Sequence, residues 1–270
     1  MLIADPILGA SLSVDRASCK LEKDVSAFQM KLNSFFWAVV FLVSGCVSGR
    51  PTLPPQPADV PAKRQSHDAS LLKWFDRLHE SYVARAQQGN VQLVFLGDSI
   101  TQGWEQHADI FNREFGKYNA VHFGIGGDCT QHVLWRIQNG ELDGIQPKVV
   151  VLMIGTNNSG VAENSAEEVA VGIKKIIEAI HAKAPQAKIL LHAIFPRARE
   201  SEDAKNIAVN QIIQKYADGN KVYWLDIRKN LLTPQGELSY EIMPDLLHLS
   251  SKGYQIWADS LNAPLAELMK

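Results

Sequence analysis

Residues Val91–Trp104 read VQLVFLGDSITQGW. Leu93, Val94, Phe95 and Leu96 form an unbroken apolar run, the pattern of a short β-strand buried on both faces. The run stops at Gly97-Asp98-Ser99, so a core strand delivers a carboxylate and a hydroxyl where the chain leaves the sheet. Comparable runs recur at Ala120–Phe123, Val149–Ile154, Ile189–Ile194 and Val222–Ile227. Helical patterns are predicted over Ala69–Gln87, Cys129–Gln138, Ser165–Ala184, Ser201–Ala217 and Ser251–Met269. The clearest has a capping box at Ser165 and Glu168, then Val169, Ile173, Ile176, Ile177 and Ile180 on one face, and Pro185 after its end. Apolar strands alternating with helices imply an α/β fold, a three-layer α/β/α sandwich around a five-stranded parallel sheet. In such sheets ligands bind beyond the carboxyl ends of the strands, where the strand order reverses.

Working outward, a chain of 270 residues with 46% hydrophobic and 21% charged residues can bury one core. A net charge of -2 and the absence of a dense basic stripe argue against nucleic acid as a partner. Cys19, Cys46 and Cys129 are too far apart for a close-spaced ligand pair and too few for a disulfide framework, so neither zinc nor a stapled scaffold is indicated, and no metal or cofactor is expected.

Ahead of the domain, residues 30–46 read MKLNSFFWAVVFLVSGC: a lysine, an apolar run about half the length of a membrane span, and small residues before Cys46. This is the pattern of an export signal, and VSGC resembles the bacterial lipobox, which implies lipidation of Cys46. A diacylated cysteine would hold the protein stably on a membrane. The expected location is the bacterial envelope, at the outer membrane facing the periplasm or the cell surface. Residues 1–29 carry no signal-peptide features and are read as an upstream extension. Residues 47–66, with prolines at 51, 54, 55, 57 and 61, read as a semi-rigid spacer, leaving 67–270 as the domain.

The loops after the first three strands carry GDSIT (97–101), GIGGD (124–128) and GTNN (155–158), and MPDLLHLS (243–250) follows the fifth. Singly they are weak. Thr101 stands where the nucleophile elbow of α/β-hydrolases needs glycine, and Cys129 breaks a dinucleotide fingerprint at GIGGD. Cys129 as a thiol nucleophile is disfavoured against a small buried residue at a helix start. Together the loops supply what acyl transfer needs: a nucleophile, a base, a group to orient it and oxyanion donors.

With these blocks in view, the sequence resembles the SGNH (GDSL-type) hydrolases from about Val91 to Trp257. Within them it is most similar to the platelet-activating-factor acetylhydrolase catalytic-subunit group, through FGIGGDCTQHVLWR, NGELDGIQPKVVVLMIGTNN and DLLHLS, and to bacterial esterases that deacetylate sugars. The resemblance implies a flavodoxin-like fold, Ser99 as nucleophile, Asp245 and His248 completing a triad, and an oxyanion hole of Ser99, Gly127 and Asn157. It further implies short-chain, acetyl ester hydrolysis through an acyl-enzyme, on a small-molecule, glycan or lipid ester. Ile100 and Leu247, neighbours of the catalytic residues, are expected to wall a small acyl pocket. Many members carry Asp where Asn158 stands, a change that the acetylhydrolase-like group shares. A homodimer is left open, as are an acyltransferase using the same residues and a non-catalytic surface lipoprotein binding glycan through Trp104, Trp135 and Trp257.

Overall fold

The computed structural model describes residues 53–270. The signal-like segment, Cys46 and the upstream extension lie outside the described residues. Five parallel strands, β1 (Leu93–Gly97), β2 (Ala120–Gly124), β3 (Val149–Met153), β4 (Lys188–His192) and β5 (Val222–Leu225), form one sheet in the order β2-β1-β3-β4-β5. The central strands β1, β3 and β4 are buried on both faces while the edge strands β2 and β5 are largely half-buried, and the alternation of side chains divides the strands between two cores. Val94 and Leu96 join one core, completed by α1 (Ala69–Gln87), α4 (Thr130–Arg136), α6 (Ala166–Lys183) and α7 (Glu200–Ile213). Leu93 and Phe95 join the other, completed by α3 (Ala108–Phe115) and α8 (Ser251–Leu268). This is the expected α/β/α sandwich.

Helix α6 begins where its capping box predicts. The Glu168 amide donates to Ser165 Oγ at 3.2 Å and the Ser165 amide to Glu168 Oε2 at 2.9 Å. Strands β4 and β5 end two residues earlier than their apolar runs, at His192 and Leu225. Ala193, Ile194 and Ile227 are buried by packing outside the ladder, which hydrophobicity cannot distinguish from strand. Three helices were not among those predicted: α2 (Ser99–Gln102), α3 and α5 (Thr156–Gly160).

Residues 53–66, expected to be a free spacer, are instead laid along the domain. Thr130 Oγ1 donates to the Ala58 carbonyl at 2.7 Å, and the Ala62 amide to the Gln131 carbonyl at 3.1 Å. The side chains of Gln56 and His132 meet at 3.0 Å. Gly172 leaves the room: a Cβ there would stand 2.5 Å from the Ala58 carbonyl oxygen. The folded unit therefore begins before His67, because proline-rich extended chain can donate and accept laterally just as a spacer would in water.

The reversal of strand order lies between β1 and β3. Gly97 is in register with Gly124 on one side and Met153 on the other. The three loops carrying GDSIT, GIGGD and GTNN thus leave the sheet at the same height and meet on one rim.

Candidate active site

Ser99 is the first residue of α2, and Asp98 caps that helix by accepting from the Ile100 amide at 3.0 Å. Asp98 is buried, which pushes its carboxyl up to about 7, and its second oxygen has no partner among the described residues. Gly97 is required by proximity: a Cβ would lie 2.3 Å from both the Met153 carbonyl and Thr101 Oγ1. Tyr254, on α8, pins the turn from the other side by donating to the Ile100 carbonyl at 2.6 Å.

Ser99 Oγ lies 2.8 Å from His248 Nε2, and His248 Nδ1 lies 2.6 Å from Asp245 Oδ2. The other Asp245 oxygen accepts from the amides of Leu247 at 3.0 Å and His248 at 2.7 Å. Burial would raise the Asp245 carboxyl, but the His248 side chain and these two amides outweigh it and hold it below its ordinary value. The segment is sharply bent at Leu246, whose φ of 60° is a left-handed conformation uncommon for leucine. The Ala198 amide donates to the Leu246 carbonyl at 3.1 Å and fixes that bend.

The GIGGD turn lies against this row. Gly127 has φ of 76°, which a glycine adopts freely. The Gly126 amide donates to Gln102 Oε1 at 2.8 Å, and the Asp128 carbonyl accepts from Asn157 Nδ2 at 2.9 Å. Asn157 is therefore brought beside the turn, with one amide hydrogen left over.

Beneath the rim sits Arg136, fully buried. Its Nε donates to Asp128 Oδ2 at 2.8 Å and its Nη2 to the carbonyls of Gly97 at 3.1 Å and Phe123 at 3.2 Å, while Nη1 meets Glu141. Burial opposes its charge, but Glu141 and Asp128 overcome that and hold the guanidinium above its ordinary range. One side chain thereby joins the ends of β1 and β2 to the glycine turn. Asn158 does the same for α4: it accepts from the Thr130 amide at 2.9 Å, and its Nδ2 shares two hydrogens among Thr130 Oγ1, Gln131 Oε1 and Asn164 Oδ1, each at 3.1 Å.

Two expectations are corrected. Ile100 is 1% exposed and packed in the aromatic core with Phe95 and Trp104, leaving no surface to wall an acyl pocket. Helix α2 turns its second residue inward because the first faces the rim. Leu247 is half-buried and does not line the cavity at Ser99. Trp104 and Trp257 are core residues without exposure, and half-buried Trp135 packs on Phe75 and His79, so the three form no common platform for a sugar. Cys129 is buried, and burial with Asp128 and Asp98 pushes its thiol up to about 12, leaving it inert as a nucleophile.

A cavity of about 390 Å³ opens at Ser99 and His248, bounded by Gln102, Glu105, Gln106, His107 and Tyr254. No group of residues that could hold a metal ion occurs among the described residues.

A serine, an imidazole and a carboxylate thus stand in hydrogen-bond sequence on the carboxyl rim of a parallel sheet. The profile of the GDSL-like Lipase/Acylhydrolase family matches residues 95–256, and the chain belongs to that family. It is 37% identical over 200 residues to platelet-activating factor acetylhydrolase IB subunit alpha1 of Bos taurus, covering 73% of this chain and 84% of that protein. Identity with the alpha2 subunit of Rattus norvegicus is 38% over 204 residues, covering 73% and 86%. A GDSL-like lipase from Bacteroides thetaiotaomicron shares the fold, with a TM-score of 0.58 at 22% identity over 72% of this chain and 97% of that one. The protein is a carboxylic ester hydrolase.

Arg64, Gln102 and Arg136 were not singled out from the sequence. Arg136 ends the string FGIGGDCTQHVLWR, where an arginine on an apolar helix face was the available signal. Arg64 sits in a proline-rich stretch with none.

Proposed function

We propose that Ser99, His248 and Asp245 form the catalytic triad of an esterase acting on short, acetyl-type esters. The observation that carries this is the continuous relay from Ser99 Oγ through His248 to Asp245, at 2.8 and 2.6 Å. Ser99 Oγ attacks the ester carbonyl carbon as its proton passes to His248 Nε2, and Asp245 holds the tautomer and stabilises the imidazolium. The carbonyl oxygen takes up the displaced electron pair. The Ser99 and Gly127 amides and the free hydrogen of Asn157 Nδ2 donate to that oxyanion. Collapse breaks the carbon–oxygen bond to the alcohol, which leaves with the proton from His248. Water repeats the sequence on the acyl-enzyme, releasing the acid and restoring Ser99.

The alcohol must leave on the side of the imidazole that protonates it. The cavity on that side is bounded by Gln102, Glu105, Gln106 and His107, hydrogen-bonding groups with one carboxylate and no lysine or arginine. This favours a hydroxyl-rich, uncharged alcohol such as a sugar. The acetyl preference is supported by the relatives named acetylhydrolases, since neither Ile100 nor Leu247 supplies a wall.

Two measurements test the reading. Ser99→Ala is expected to abolish turnover of p-nitrophenyl acetate with unchanged melting, and residual wild-type rates would refute the triad. Acetate is expected to exceed octanoate in kcat/KM by at least about tenfold, equivalent to ~1.4 kcal/mol. A rise with chain length would refute the short-acyl assignment. Export and lipid anchoring at Cys46 belong to the same proposal and rest on the sequence pattern. Cys46→Ser is expected to free the protein from salt-washed membranes, and continued retention would count against lipidation.

A further inference from the structure

The peptide unit that joins Gly126 to Gly127 carries both the Gly126 carbonyl and the Gly127 N–H. In a planar trans peptide these two groups point in opposite directions. Whatever holds the carbonyl therefore aims the N–H. The Arg64 guanidinium, carried on the segment laid along the domain, donates through Nη1 to the Gly126 carbonyl. It covers Gly127 so closely that a Cβ there would lie 2.3 Å from Nη2. The Arg64 side chain is only 15% exposed and stands 3.9 Å from Asp128 Oδ1.

We propose that Arg64 is a positioning residue for ester hydrolysis, locking and polarising the Gly126–Gly127 peptide so that the Gly127 N–H is aimed at the oxyanion. The inference rests on the oxyanion reading above. The peptide lies between two glycines, the residues least able to resist a flip about their flanking dihedrals. A flipped unit would turn a carbonyl oxygen toward the developing negative charge. A bond from a guanidinium is about twice as strong as a neutral one, and a donor on the carbonyl strengthens the N–H of the same amide. The neighbouring unit has its own restraint, since the Gly126 amide is held by Gln102 at 2.8 Å. Without Arg64, the Gly126 carbonyl loses this charged donor.

The approach of Arg64 depends on its segment. Ala58 and Ala62 bond to Thr130 and Gln131 at the start of α4. The Lys63 ammonium lies 2.7 Å from Asp76 on α1. These contacts flank Arg64 and bring it over the turn from outside the 95–256 region that the family shares.

The test uses the full chain with Arg64→Ala and Arg64→Lys, and p-nitrophenyl acetate as substrate. Arg64→Ala is expected to lower kcat about tenfold, less than outright loss of an oxyanion donor, with KM within about twofold of wild type. Methylboronic acid, whose serine adduct places an oxygen in the oxyanion position, is expected to lose affinity by a similar factor. Arg64→Lys keeps a charged donor without the planar fork and is expected to fall between the two. A purely structural role would lower melting without this kcat and boronate parallel. Should Arg64→Ala melt early, Arg64→Lys decides by the same comparison. A kcat within about twofold of wild type in Arg64→Ala, or a change confined to KM, would overturn the proposal. Ser99→Ala assayed alongside separates the cases: if it is inactive while Arg64→Ala is normal, only the role of Arg64 fails.

Discussion

Replacing Asn158 by Asp restores the residue many family members carry here, and the structure gives a reason to expect harm. Asn158 is fully buried and uses both ends of its amide. Its oxygen accepts from the Thr130 amide, and its nitrogen faces three oxygens at 3.1 Å, on Thr130, Gln131 and Asn164. A carboxylate keeps the first bond and sets a charged acceptor against the other three. The Thr130 hydroxyl cannot readily turn to donate, because its proton already serves the Ala58 carbonyl at 2.7 Å. The Gln131 and Asn164 amides can rotate and recover part of the loss. An unpaired buried charge costs about 3–5 kcal/mol, and a neutral mismatch about 1–3. The folded carboxyl would therefore hold its proton to higher pH than the unfolded one, and stability would be lost as pH rises through the folded value. Expected destabilisation is ~4 kcal/mol at pH 8, roughly 8–16 °C in Tm for a domain of this size, shrinking toward ~2 kcal/mol at pH 5. Thermal melts of wild type and Asn158→Asp at both pH values make the assay, with Asn158→Ala as a pH-independent control. Wild-type melting at pH 8, or an equal loss at both pH values, would refute the account.

Asn157→Ala is expected to lower kcat by ~10² to 10³ with a smaller change in KM, the usual result of deleting one oxyanion donor. A change confined to KM in steady-state assays would assign Asn157 to ground-state binding. Asp98→Asn probes the buried cap: the folded carboxyl, at about 7, holds its proton well above its ordinary value of 3.8. Its favourable contribution is therefore complete below about 4 and lost as pH rises through about 7. The Tm of Asp98→Asn relative to wild type is expected to rise from pH 4 to pH 8, on the order of a few kcal/mol in stability. A constant difference across that range would refute it.

The order of strands and helices was legible because it depends on local periodicity. Unbroken apolar runs can be satisfied only between two layers, and the Ser165–Glu168 box with its isoleucine stripe allows little but a helix. Ser99, Gly127 and Asn157 were legible as neighbours because the ends of β1, β2 and β3 are brought level by a parallel ladder; Asp245 and His248 lie beyond β5, where their spacing marked them as a pair but only packing decides that His248 reaches Ser99. Helix α3 was missed although Ile110, Phe111 and Phe115 share one face at helical spacing, because it is only eight residues long and lies between two short 3-10 turns with no side-chain cap to mark its start. The inward turn of Ile100 was not legible either: adjacency to Ser99 in sequence says nothing of direction until α2 is wound. Arg64 is the extreme case. It is separated by 62 residues from the carbonyl it serves, and no periodicity links a proline-rich segment to a glycine turn. Local pattern can settle which backbone hydrogen bonds a segment makes with itself, but not which distant group will satisfy a donor that the segment leaves over. That pairing is decided by packing, and it is what places a guanidinium on the rim of the sheet.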